Sequence, residues 1–172
     1  MTRLGPTLFL LLSGLVAAGP LAAQAKPEIR GVWIARDSLG TKEALRNAIQ
    51  QLADANFNAA FVNVWSRGYP LWPSKVFERE TGLTIDPAFE GRDVIAECLE
   101  YATPLGIACV PWVEYGFVAG YSAYFPGESK KGPVFDRHPD WLAKTKAGVD
   151  AFPLSGTREF FYWLSHTHPD AQ

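Results

Sequence analysis

The sequence predicts an α/β fold, the N-terminal portion (about three βα units) of a (β/α)8 TIM barrel, with long loops after the second and third strands. Three observations carry this expectation. Short apolar runs rich in β-branched and aromatic residues alternate with stretches of helical periodicity. A strand, a helix and a strand follow one another within a short span, which implies parallel pairing through a right-handed crossover. The loops lengthen after the second and third strands, on one end of the sheet, as they do on the active face of a barrel. The chain has 172 residues, whereas a closed barrel typically takes about 250, so only its first part is expected. The competing fold is an open doubly wound sheet. Against it, Ala35-Arg36-Asp37-Ser38-Leu39-Gly40-Thr41 after the first strand is not the glycine-rich phosphate loop such folds carry.

Residues 1–25 read as an export signal. Arg3 gives a positive start, Leu8 to Ala18 an apolar stretch, and Ala23-Gln24-Ala25 a small-x-small cleavage site. The apolar stretch is short for a membrane span. The expected mature chain, 26–172, is a partial barrel domain with no membrane span, located in the periplasm, at the cell surface or outside the cell.

Ile29 to Ala35 forms the first predicted strand, followed by Arg36 and Asp37. Thr41 caps a helix whose apolar face is Leu45, Ala48, Ile49 and Leu52, with Glu43 favouring the dipole in the first turn. Ala59 to Val64 is the second strand. Pro70 and Pro73 argue against regular structure in the loop that follows, apart from a helical turn over Ser74 to Glu80. Asp93 caps the next helix, with Ile95, Cys98, Leu99 and Ala102 inward and Pro104 and Gly106 as its stop. Ile107 to Val113 is the third strand. Pro111 cannot donate to a ladder, so a fray or bulge is expected there. Farther on, His138 to Leu142 suggests a helical turn, Ala147-Gly148 a turn between short strands, Phe160 to Leu164 an apolar run, and His168-Pro169-Asp170 a helix start.

Net charge −2 leaves no footprint for nucleic acid. The six Trp, six Tyr and eleven Phe fall partly in loops, where they either line a site for sugar rings or cover the core. Cys98 and Cys109 could pair in an exported protein, but both positions read as small buried hydrophobes. Two Cys and three His make no zinc pattern, and His166 and His168 read as turn and cap residues. No metal or cofactor is expected. Oligomeric state is not readable.

The order of several short motifs carries a resemblance. These are Arg30-Gly31-Val32-Trp33, Asn58 through Trp65, Arg67-Gly68, Pro73-Ser74-Lys75, Thr81-Gly82, Gly91-Arg92-Asp93, Trp112 through Gly116, His138 through Trp141, and His168-Pro169-Asp170. Together they resemble the glycosyl-hydrolase-like 10 family, a bacterial exported group with a TIM-barrel catalytic domain. Pro104 and Pro111 depart from its pattern. The resemblance implies that the later strands, with the family's acidic residues, are not in this chain, which is then expected to be inactive alone.

Glycoside hydrolysis needs two carboxylates flanking the bond. Glu114, at the end of the third strand, is the candidate catalytic residue, or else a substrate- or arginine-pairing group. Asp37 is weaker. Arg67 either orients a substrate or pins its loop. Trp65 and Trp112 either stack against a sugar ring or pack the barrel top. Tyr115 and Arg36 complete the expected glycan-binding set. Arg92 and Asp93 read as structural. The expected function is an exported glycoside hydrolase-like protein acting on a bacterial glycan or other polysaccharide. A non-catalytic carbohydrate-binding α/β module is the alternative, and a truncated product without a stable fold is a third reading.

Overall fold

The computed structural model describes residues 28–116, 118–124, 130–153, 156 and 158–171; the export signal expected at 1–25 lies outside them. The fold is mixed α/β. Its first half is a parallel sheet of β1 (Gly31–Ile34), β2 (Ala59–Ser66) and β4 (Ala108–Val113), with β2 in the middle. A two-residue strand, β3 (Tyr69–Pro70), folds back antiparallel on the end of β2.

The crossover helices are α1 (Lys42–Asp54), between β1 and β2, and α3 (Val94–Ala102), between β2 and β4. The caps read from the sequence hold them. Thr41 Oγ1 accepts from Ala44 N at 3.0 Å, and Asp93 Oδ1 accepts from Ile95 N and Ala96 N, both at 3.0 Å. Leu45, Ile49 and Leu52 of α1 and Val94, Cys98 and Ala102 of α3 bury against Ile34, Ala60 and Val62 of the sheet. The two helices also pack on each other, so both cover one face. Three parallel strands in sequential order with every crossover on one side is the arrangement of consecutive βα units in a (β/α)8 barrel. A doubly wound sheet distributes its helices over both faces. On the opposite face Trp33 stacks on Phe61, and Trp33 remains 64% exposed.

Two proline expectations need correction. Pro111 neither frays nor bulges β4; it pairs in register with Val62. Ala108 N and Glu114 N both donate to β2, to Asn58 O and Trp65 O. By alternation the missing N–H of Pro111 points to the other edge of β4, which pairs with no strand among the described residues. The irregularity lies instead in β2, where two steps from Asn63 to Trp65 match one step from Trp112 to Val113. Pro70 does not exclude a strand either. It pairs with Trp65 across a tight turn at Arg67 and Gly68, both at positive φ (59° and 88°). Gly68 is fixed twice over, since a Cβ there would lie 2.3 Å from the Ala119 carbonyl oxygen.

The second half is built around α2 (Lys75–Thr81), α4 (Pro133–Arg137) and an antiparallel sheet of β5 (Val118–Tyr121), β6 (Phe152–Pro153) and β7 (Phe160–Trp163), in order β5-β7-β6. Its core gathers Tyr69, Phe77, Ala119, Val134, Phe135, Leu142 and Tyr162. The expected turn at Ala147-Gly148 is present, closed by Gly148 N to Thr145 O at 2.9 Å, but no strands flank it directly. Among the described residues no helix is long and apolar enough to cross a membrane.

Candidate functional site

The C-terminal ends of the three parallel strands open onto one small cleft. Ala35, Arg36 and Asp37 follow β1, Ser66 and Arg67 end β2, and Glu114 and Tyr115 follow β4. Tyr121 and Phe161 close it from the antiparallel sheet, and the cavity holds about 180 Å³. Five of the residues singled out from the sequence therefore share one cleft: Glu114, Arg67, Tyr115, Arg36 and Asp37.

The β2 bulge decides which side chain joins them. Uninterrupted alternation would put Phe61, Asn63 and Trp65 on one face. The extra residue makes Ser66, not Trp65, the neighbour of Glu114, and the Ser66 hydroxyl hydrogen-bonds the Glu114 carboxylate. Ser66 is buried, so this bond fixes one oxygen of Glu114 and leaves the carboxylate directed at the cleft. Trp65 turns the other way. Its Nε1 donates to Val118 O at 2.7 Å and its ring meets Phe77 edge-on. It lines a separate, larger hollow of about 370 Å³ with Trp72 and Trp141. Trp112 sits beside Asn63 in register, and its buried Nε1 has no hydrogen-bond partner among the described residues. The sequence-based expectation that Trp65 and Trp112 floor the same site as Glu114 thus needs correction, because the bulge separates Trp65 from Glu114 and neither Trp lines the cleft.

The charges in and behind the cleft are arranged in two tiers. Arg36, 9% exposed, pairs with the fully buried Asp86 at 2.7 Å and donates to the Tyr124 hydroxyl at 2.6 Å. Tyr124 in turn donates to Asp86 at 2.8 Å. Burial, then the hydrogen bond with Asp86, pushes the Tyr124 hydroxyl up to about 12. The Arg36 guanidinium also lies 4.9 Å from the ring centroids of both Phe89 and Tyr124. Arg36 is therefore a wall of the cleft whose charge is already committed. Arg67 is the less committed tier. Its guanidinium stands 5.1 Å from the Tyr124 ring and 3.7 Å from Asp37, which is 89% exposed. An ion pair that long and wet holds weakly and yields to a better partner. Tyr121 hydrogen-bonds Glu159, and this bond, with burial, raises its hydroxyl above the usual range.

The sequence has likenesses among known proteins. The chain belongs to the glycosyl hydrolase-like 10 family. The family's model matches residues 28–172. No curated protein matches the sequence. Among solved structures, TtGalA, an α-galactosidase from Thermus thermophilus in complex with stachyose, is similar at 16% identity and a TM-score of 0.47. The similarity covers 80% of this chain and 26% of that one, so the chain spans about a quarter of that enzyme's length.

In this glycosyl hydrolase-like 10 chain the sequence reading missed Ser66, Tyr121, Phe161 and the Asp86–Tyr124 pair. Asp86 carried a signal, since Asp before Pro87 marks a turn; its side chain does accept from Ala88 N at 2.8 Å. Nothing local marked its second role as the counter-ion of Arg36. Arg92 and Asp93 are structural, as expected: Arg92 binds Glu97 at 2.6 Å and Leu39 O at 2.6 Å. His168 lies 3.3 Å from Asp140. Among the described residues no group of three or more His, Cys, Asp or Glu could hold a metal ion.

Proposed function

We propose that this glycosyl hydrolase-like 10 chain is exported through the segment at 1–25 and binds a glycan in the cleft at the ends of β1, β2 and β4. The supporting observation is that these strand ends bring a carboxylate, an arginine and aromatic rings to one cavity. Glu114 is the candidate catalytic carboxylate, fixed by Ser66. Arg67 and Asp37 hydrogen-bond sugar hydroxyls, and Tyr115, Tyr121 and Phe161 supply ring faces. The reaction class is hydrolysis of an O-glycosidic bond, with Glu114 as one of the two carboxylates that chemistry requires.

The cavity's size favours a second reading. About 180 Å³ is below the ~300 Å³ at which ligand pockets usually begin, room for about one sugar ring. A module that binds glycan without turnover fits such a cleft as well. One experiment tests both. Polysaccharides and their oligomers are titrated against the purified chain by calorimetry, and reducing ends are measured in parallel with it and with a version extended to the full barrel, in which release is scored. Binding weakened tenfold or more by Arg67→Ala, with reducing ends released and release lost in Glu114→Gln, supports hydrolysis. Binding with the same Arg67 dependence but no release supports the binding module. Absence of saturable binding to any glycan refutes both.

A further inference from the structure

The hollow beside β2 holds about 370 Å³, within the roughly 300–1,000 Å³ usual for ligand pockets. Three indoles line it: Trp65 near the end of β2, Trp72 just past β3, and Trp141 in the helical turn that follows α4. Two of them are held in place by the protein itself. Trp65 is tied by its Nε1 bond to Val118 O at 2.7 Å and by its edge-on contact with Phe77. Trp141 lies flat on the His138 ring, with centroids 3.8 Å apart and planes 9° from parallel. His138 Nε2 in turn stands 3.2 Å from the Glu80 carboxylate. Arg79, Glu80 and Asp170 share the lining with the indoles. Glu80 is engaged by both Arg79 and His138. Asp170 forms no ion pair among the described residues, so its carboxylate is open to a donor.

We propose that this hollow binds one pyranose unit of a neutral glycan, separately from the cleft at Glu114. A pyranose has flat C–H faces and a rim of hydroxyls. Indoles fixed in advance suit the faces and lose little freedom on binding. Arg79 donates to the hydroxyl rim and Asp170 accepts from it. A wholly apolar occupant would strip water from these two side chains without replacing its hydrogen bonds, which is costly. A strongly charged occupant meets both signs in the lining and gains nothing over a neutral one. Consecutive residues serve the two cavities, because Trp65 lines the hollow while Ser66 holds Glu114 in the cleft. The β2 bulge thus divides one strand end between two sites. The hollow binds its sugar whether or not the cleft binds one.

The test titrates cellohexaose, maltohexaose and the N-acetylglucosamine hexamer into the chain by calorimetry. Arg67→Ala, which disables the cleft, is the background. Saturable binding of at least one hexasaccharide is expected to remain in it, and to weaken about tenfold or more when Trp72→Ala or Val76→Arg is added. Val76 lines the hollow and is 59% exposed, so an arginine there obstructs the hollow without disturbing the core. It decides the matter where Trp72→Ala fails to fold. Binding that Val76→Arg abolishes and Arg67→Ala leaves intact supports the hollow and counts against the cleft. Loss of all hexasaccharide binding in Arg67→Ala, residual binding that Val76→Arg does not weaken, or no binding by the unsubstituted chain overturns the proposal. Self-association that Val76→Arg abolishes also overturns it, since a second copy then fills the hollow.

Discussion

Removal of the Asp86 carboxylate is expected to be among the most damaging single changes in the chain. Asp86 is fully buried, forms an ion pair with Arg36 at 2.7 Å and accepts from the Tyr124 hydroxyl and Ala88 N, both at 2.8 Å. Asp86→Ala strands the Arg36 guanidinium, itself 9% exposed, without a counter-charge. Breaking one side of a buried pair costs about 3–5 kcal/mol, and a lost cap adds about 1 kcal/mol. Against a total stability of about 5–15 kcal/mol, that is about a quarter or more. Asp86→Asn keeps the shape and the cap and is expected to cost less, about 2–3 kcal/mol. Arg36→Met combined with Asp86→Leu removes both charges and is expected to be more stable than Asp86→Ala alone. Urea unfolding followed by far-UV circular dichroism measures all four proteins, with a constant m-value licensing the comparison. A cost below about 1 kcal/mol for Asp86→Ala, or a double variant no better than the single one, refutes the view that this pair is a buried, mutually dependent unit.

Three further outcomes are expected. Gly68→Ala should cost more than about 2 kcal/mol in the same unfolding assay, because φ of 88° and the Ala119 carbonyl at 2.3 Å both oppose a Cβ; a neutral result means the hairpin tip does not abut β5. Asp93→Ala should cost about 1 kcal/mol, and Asp93→Ser much less, since serine restores an acceptor for Ile95 N and Ala96 N. Stability should fall as pH rises from about 10 to about 12. Tyr69 and Tyr124 are both pushed up to about 12, by burial first, so the folded state binds their protons more tightly than the unfolded state does. That contribution is complete below pH 10 and lost as pH passes 12, and tyrosinate absorbance at 295 nm should show it. A flat stability profile across that window is the contrary result.

The sequence was most legible where structure is local. The helix caps at Thr41 and Asp93 and the apolar face of α1 follow from neighbours within a few residues, and the parallel strands follow from their βαβ spacing; the inner face of α3 was read only in part, since Cys98 and Ala102 are buried but Leu99 is exposed and Val94 takes the inward place. The end-of-strand rule pointed to Glu114, Arg67, Tyr115, Arg36 and Asp37, which the structure gathers in one cleft. Distant pairing was not legible. β5 and β7 join Val118–Tyr121 to Phe160–Trp163, and neither segment carries a periodicity that names the other. The Arg36–Asp86 pair is hidden for the same reason, since Arg36 read as the residue after the first strand and Asp86, before Pro87, as a turn within a later loop. The bulge in β2 is the clearest case. Ala59 to Val64 reads as an unbroken strand, whereas the strand runs on to Ser66 and one extra residue in its pairing exchanges the faces of Trp65 and Ser66.

The backbone adds an independent reason to look at this cleft before the larger hollow beside Trp65, Trp72 and Trp141. Four described non-glycine residues have positive φ: Asn56, Arg67, Tyr115 and Lys130. Asn56 follows α1, where asparagine takes that conformation at little cost. Arg67 and Tyr115 have no such excuse: Arg67 directly follows β2, Tyr115 stands two residues past the end of β4, and both line the cleft. A hairpin turn of the kind at Arg67-Gly68 favours Asn, Asp or Gly at its first position, so the turn explains the backbone but not the choice of arginine. Holding a bulky side chain there costs about 1–2 kcal/mol. Two such costs at neighbouring strand ends, facing one cavity, are the pattern expected where side-chain identity answers to a ligand rather than to the fold.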